Sequence, residues 1–122
     1  MSASDHLGNY AKGWINGDVN LILQSLATDY ILDDPNSGKI SKEMFSEYLE
    51  NMKETVKAIN GGNLPEPFME LTEVVTSEES EMLTAWCSWS IPNTSIKGAG
   101  LIKVAAAGVY FEQLTYYTKL GA

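Results

Sequence analysis

Arginine is missing from this sequence. All eight basic residues are lysines, set against sixteen Asp and Glu for a formal net charge of -8. That balance excludes a nucleic-acid binder, whose affinity is built on neutralising phosphate with Lys and Arg. It also removes the side chain best suited to a bidentate grip on carboxylate or phosphate. The ligand this composition leaves is neutral, apolar or cationic. Cysteine and histidine are nearly as scarce, with Cys87 and His6 the single representatives. One cysteine makes no internal disulfide, which suits a reducing compartment. The two together fall short of the ligand set of an ordinary zinc site. Cys87 reads as a small buried hydrophobe, because a reactive thiolate wants a cation beside it. The Asp29, Asp33 and Asp34 stretch lacks the alternating ligands and distal glutamate of a calcium loop. Neither a metal nor a cofactor is expected. No apolar run approaches the ~20 residues of a membrane helix, and no charged segment followed by an apolar run opens the chain as a secretory leader. The expectation is a cytoplasmic protein away from the membrane, or a mature form whose leader was removed.

What is present fits one domain spanning residues 1–122, long enough to bury a core without staples. Ser4 or Asp5 is placed to cap a helix over about 5–16, where Leu7, Tyr10, Ala11, Trp14 and Ile15 recur at helical spacing. Asn16-Gly17 ends it and Asp18 caps a second helix over about 19–26, so the two must meet at a corner. From Thr28 the period drops to two, putting Tyr30, Leu32 and Asp34 on one strand face. Pro35 stops that strand, and Asn36-Ser37-Gly38 turns the chain. Ser41 is expected to cap the longest helix, about 42–59, with Phe45, Tyr48, Leu49, Met52, Val56 and Ile59 as its apolar stripe. Strands over 68–76, 82–91, 95–105 and 109–118 then form a meander. Helices first and hairpin strands afterwards make an α+β fold with an antiparallel sheet.

The helix tyrosine Tyr10, the Gly17-Asp18 corner, and the strand ending in Asp34-Pro35 with Gly38 beyond it resemble the nuclear transport factor 2-like (NTF2-like) superfamily, of SnoaL-like and ketosteroid isomerase-like type. The likeness is densest over residues 10–38 and rests on strand order thereafter. It implies a cone-shaped α+β roll, also called cystatin-like, in which a curled antiparallel sheet wraps the 42–59 helix and the first two helices close one end. It further implies an apolar pocket at the open end of the cone. In the isomerases the tyrosine donates to a developing enolate and the aspartate shuttles the proton, which the resemblance places at Tyr10 and Asp34. The family's second acidic donor aligns near Gly100, and no acid stands in residues 95–105.

The expected pocket is walled by Trp14, Leu32, Phe45, Tyr48, Trp89, Gly100, Ile102, Gln113, Thr115 and Tyr117, with Asp34 and Tyr10 both opening into it. Each has a plainer reading: Asp-Pro starts turns in many proteins, and a tyrosine or tryptophan on an amphipathic helix is commonly core. Trp86, with Met82 and Thr84, falls on the outer sheet face, where an apolar surface asks for a cover. A homodimer through that face is the expected assembly. Two functions fit the sequence. One is a small enzyme moving protons or water on an apolar, carbonyl-bearing molecule, as an isomerase, cyclase or hydratase/hydrolase does. The other is a non-catalytic homodimer that binds a hydrophobic metabolite or serves a protein partner.

Overall fold

The computed structural model describes residues 1–117. Helix α1 (Ala3–Asn16) opens at Ser2, whose hydroxyl accepts the Asp5 N–H while the Asp5 carboxylate accepts the Ser2 N–H, both at 3.1 Å. This reciprocal capping box satisfies two otherwise unpaired donors and starts the helix earlier than a cap at Ser4 or Asp5 would. Gly17 closes α1 in the left-handed conformation at φ 65°, and its N–H reaches back to the Gly13 and Trp14 carbonyls. Asp18 then caps α2 (Val19–Ser25) by accepting the Leu21 N–H at 3.2 Å.

Strand β1 (Leu26–Asp34) is answered by a short antiparallel β2 (Gly38–Ser41), with Leu32 opposite Ile40 and Asp34 opposite Gly38. Ser41 therefore belongs to a strand rather than to a helix cap. Burial of Ile40 across from the fully buried Leu32 holds the hairpin together. Helix α3 (Phe45–Ile59) begins only after a turn, with Met44 at its N-cap making no side-chain bond.

Strands β3 (Glu70–Glu79), β4 (Met82–Ser90), β5 (Lys97–Ala105) and β6 (Gly108–Tyr116) form the meander. The expected last strand ran to Thr118, which lies outside the described residues. The curled six-stranded sheet has the order β2-β1-β6-β5-β4-β3. Every neighbouring pair is antiparallel except β1 with β6, which run parallel. The register of β5 against β6 shifts between Lys103 and Val104, next to the hairpin turn. That irregularity decides which residues of β6 face inward.

Helix α1 is the one that lies along the sheet, against β6 and β5 and touching β4 and β3, whereas α3 makes its main approaches to α2 and β2. This differs from a sheet wrapped on the 42–59 helix, and the stand-off of α3 leaves room for a cavity. An aromatic chain fills the closed end. Trp14 meets Phe45 edge-on at 5.6 Å between ring centroids, Phe45 meets Tyr30 at 6.0 Å, and Tyr30 meets Tyr10 at 6.1 Å. Such pairs contribute about 0.5–1.5 kcal/mol each beyond simple burial, so the helix corner and β1 are fixed firmly relative to each other.

Candidate functional site

Two neighbouring spaces lie between the helices and the concave face of the sheet. The outer one, about 600 Å³, opens between α3 and the sheet and is lined by Asp34, Met44, Tyr48, Met52, Trp89 and Tyr116, among others. The inner one, about 30 Å³, lies under α1 and is lined by Tyr10, Trp14, Cys87, Trp89, Ile102 and Glu112, among others. Met52 and Trp89 belong to both linings.

Asp34 ends β1 and is 2% exposed. Its Oδ2 accepts the Tyr48 hydroxyl at 2.6 Å and the Tyr116 hydroxyl at 2.9 Å, and its Oδ1 accepts the Asn36 N–H at 2.8 Å. The backbone bond is the turn that Asp-Pro initiates; the two phenols come from α3 and β6. Loss of water raises both phenols, and hydrogen bonding to Asp34 raises them further: Tyr116 to about 12 and Tyr48 higher still. They remain protonated donors at any physiological pH. A carboxylate offers about four acceptor positions, so three are filled and one, on Oδ1, is open.

The inner chamber holds a second buried acid. Glu112, 4% exposed, accepts the Tyr10 hydroxyl on Oε1, and Tyr10 in turn shares a 2.8 Å hydrogen bond with the Tyr30 hydroxyl. Burial pushes the Glu112 carboxyl up to about 7, partly offset by the Tyr10 hydrogen bond. The same burial and the charge of Glu112 raise Tyr10, Tyr30 and Cys87, the thiol to about 11. A Cβ at Gly100 would run into Glu112 Oε2. The place left open by that glycine is thus occupied by a carboxyl from the neighbouring strand.

The expected site residues separate into four groups. Asp34, Tyr48, Trp89 and Tyr117 line the outer cavity, Tyr117 at half-exposure on its rim. Tyr10, Trp14, Trp89 and Ile102 line the inner chamber. Leu32 and Phe45 are fully buried in the core, and Gly100 is buried beneath Glu112. Gln113 and Thr115 are exposed and do not face the pocket. The inward residues of β6 are Glu112, Leu114 and Tyr116, one position away from the expected register, because the shift beside the β5–β6 turn moves the alternation by one. Asp34 and Tyr10 accordingly face separate spaces, since Glu112 takes the tyrosine hydroxyl.

Glu112, Tyr116 and Met52 were not anticipated as site residues. A signal for the first two existed in β6 itself. Leu114 and Tyr116 are apolar where Gln113 and Thr115 are polar, and period two then carries Glu112 inward with them. Among the described residues no cluster of three or more His, Cys, Asp or Glu is arranged to hold a metal ion. No helix among them is long and apolar enough to cross a membrane.

No protein-family model and no curated protein sequence matches the chain. Solved structures do. One is a proposed polyketide cyclase from Pseudomonas putida, at 15% identity and TM-score 0.63, covering 98% of this chain and 93% of that one. An NTF2-like protein of unknown function from Cytophaga hutchinsonii aligns at 9% identity and TM-score 0.62, over 96% and 91% of the two chains. A cystatin-like fold protein from Burkholderia xenovorans aligns at 10% identity and TM-score 0.68, over 95% and 89%. At such identities these likenesses speak to architecture. The chain has the NTF2-like, cystatin-like α+β fold.

Proposed function

We propose that the protein is a small-molecule acid–base enzyme of the SnoaL-like or ketosteroid isomerase-like type, acting in the outer cavity on an apolar, carbonyl-bearing molecule. The observation that carries this reading is a buried carboxylate with one open acceptor position, facing a cavity of about 600 Å³. Met44, Met52, Trp89, Ile91 and Ile96 give that cavity the apolar wall such a molecule needs. In this scheme Asp34 Oδ1 takes a proton from the carbon beside the carbonyl. The C–H electron pair moves into the carbonyl as an enolate, and the same carboxyl returns the proton, so no co-reactant is required. Tyr48 and Tyr116 hold the carboxylate in place throughout. The likeness in fold to proposed polyketide cyclases from Pseudomonas putida and Xanthomonas campestris supports this class of chemistry.

A ketone probe tests it. Wild-type protein in D₂O with 2-tetralone is expected to accelerate deuterium uptake beside the carbonyl, followed by NMR. Asp34→Asn should lower that rate about a hundredfold or more, the usual weight of a positioned base. An undiminished rate in the variant places the base elsewhere.

The second reading, a non-catalytic pocket protein for a hydrophobic metabolite or a protein partner, is favoured by one observation. Three of the four acceptor positions on Asp34 are already filled, which suits a carboxylate that anchors phenols better than one that takes protons. Ketone binding with no exchange would decide for it.

In either reading the assembly is a homodimer through the outer sheet face, where Val75 pairs across from Trp86 and both stand exposed with Met82. Apolar area there is worth about 25 cal/mol per Å² when covered. Light scattering should report a dimer that Trp86→Lys turns into a monomer; a wild-type monomer at micromolar concentration contradicts it. The free, buried Cys87 fits a reducing, cytoplasmic setting.

A further inference from the structure

The outer cavity has a carboxylate on its wall and no cation set against it. Asp34 is 2% exposed, and its three hydrogen bonds come from the Asn36 N–H and the Tyr48 and Tyr116 hydroxyls. All three donors are neutral groups, so they bring hydrogen bonds but no positive charge. Among the described residues the one ion pair joins Lys57 to Glu54, and no lysine pairs with Asp34. Lys97 is the single lysine of the described cavity wall; it is exposed, as is Glu47 on the same wall. With a net charge of -8 on the chain, the long-range field draws cations toward the molecule and turns anions away.

The surroundings of this carboxylate are aromatic. Tyr48 and Tyr116 end on the same oxygen, Oδ2, at 2.6 and 2.9 Å, which tethers one ring from α3 and one from β6 beside it. Trp89 meets Tyr116 edge-on, with ring centroids 5.4 Å apart and planes at 87°. All three side chains line the cavity. Aromatic faces carry partial negative charge, and a cation within about 6 Å of a ring centroid is attracted to them. An apolar wall of Met44, Met52, Ile91 and Ile96 completes the lining on this side. A positive group on a hydrocarbon body therefore finds an open acceptor position on Asp34 Oδ1, rings in place of lost water, and apolar surface for the remainder.

We propose that the outer cavity is a binding site for an apolar organic ammonium ion, whose N–H donates to Asp34 Oδ1 while the rings of Tyr48, Trp89 and Tyr116 surround the charge. The ligand class is an amine, protonated at neutral pH, on a hydrocarbon body. The three donors already fixed on Asp34 hold the carboxylate in one orientation, so the ammonium meets a preorganised partner. An anion of the same shape faces Asp34 across the cavity and is rejected. This goes beyond the acid–base reading and does not depend on it. The ammonium takes the acceptor position that a base would use, so such a ligand blocks proton exchange wherever exchange occurs.

The experiment compares 2-aminotetralin, protonated at pH 7, with 2-tetralol, which carries a neutral hydroxyl donor on the same carbon skeleton, by calorimetric titration. Wild type should bind the amine about tenfold tighter or more, from a charge-assisted hydrogen bond together with the aromatic faces. Asp34→Asn should bring the two affinities to within about twofold of each other while alcohol binding persists. When the N,N-dimethyl derivative binds wild type, its N-methyl protons should shift upfield in NMR, as protons over ring faces do. Equal wild-type affinities for amine and alcohol, or no binding of either, overturn the proposal without recourse to a variant that has to fold. A preference that survives in Asp34→Asn overturns Asp34 as the partner, and unshifted N-methyl protons overturn the aromatic surround. Amine binding in a protein that exchanges no ketone protons supports the ammonium site and tells against Asp34 as a base. Ketone exchange that runs undiminished with the amine bound places the amine outside the cavity and overturns the site.

Discussion

Asp34 and Glu112 are both acids with almost no exposed surface, yet their surroundings bring them different numbers of hydrogen-bond donors. Asp34 sits at a strand end where a turn N–H and two phenols converge on it, three donors for one carboxylate. Glu112 sits mid-strand under α1 with the Tyr10 hydroxyl as its donor, and its carboxyl is pushed up to about 7. Each hydrogen bond to the charged form of an acid replaces part of the hydration that burial removes, and Glu112 has little of that replacement. The outer acid has three donors beside a large cavity, while the inner one has the Tyr10 hydroxyl and a carboxyl raised by burial beside a small one.

The largest expected consequence of the difference is a pH-dependent stability that belongs to the inner acid. Below about pH 4.5, the ordinary value for glutamate, Glu112 is protonated in both folded and unfolded chains and contributes nothing to the dependence. Between 4.5 and about 7 the unfolded chain releases this proton and the folded one keeps it, so stability falls as pH rises, then levels off. At about 1.4 kcal/mol per pKa unit, that span is worth about 3 kcal/mol. Urea melts of wild type and Glu112→Gln should differ in slope over this window, with the variant losing less stability toward pH 8. Parallel pH profiles would break the contrast between the two acids.

A smaller effect separates the donors. Tyr48→Phe strips one of three hydrogen bonds from Asp34 and should cost about 1–3 kcal/mol of stability at neutral pH, the range for leaving a buried acceptor short of a partner. Tyr10→Phe removes the bond that lowers Glu112 and should cost least at acid pH, where the carboxyl is neutral without help. Equal costs at every pH for the two variants would mean that the two acids are held alike.

Of the two acids, Asp34 was legible in the sequence as a site residue and Glu112 was missed. Gly17-Asp18 announces a corner because one residue must turn left-handed and the next must cap, and both needs are met by those side chains. Asp34-Pro35 announces a strand end for an equally local reason. These features put Asp34 at a strand end, on the face with Tyr30 and Leu32, from the sequence alone. Glu112 was missed because the expected register of β6 ran unbroken from its first residue, whereas the pairing with β5 shifts beside the Ala106-Ala107-Gly108 turn; the alternation of Gln113, Leu114, Thr115 and Tyr116 carried the local signal of its facing. The helix start at Phe45 was misjudged for a similar reason: β2 exists only because β1 lies beside it.

The contrast between the two acids is tested most directly by titrating side-chain carboxyl carbons with carbon-13 labelling, using Glu112→Gln to assign the resonance that disappears. A glutamate with a midpoint near pH 7, moving upward in Tyr10→Phe, is the predicted result. A Glu112 resonance that titrates in the ordinary range near 4.5, indifferent to Tyr10, would contradict it.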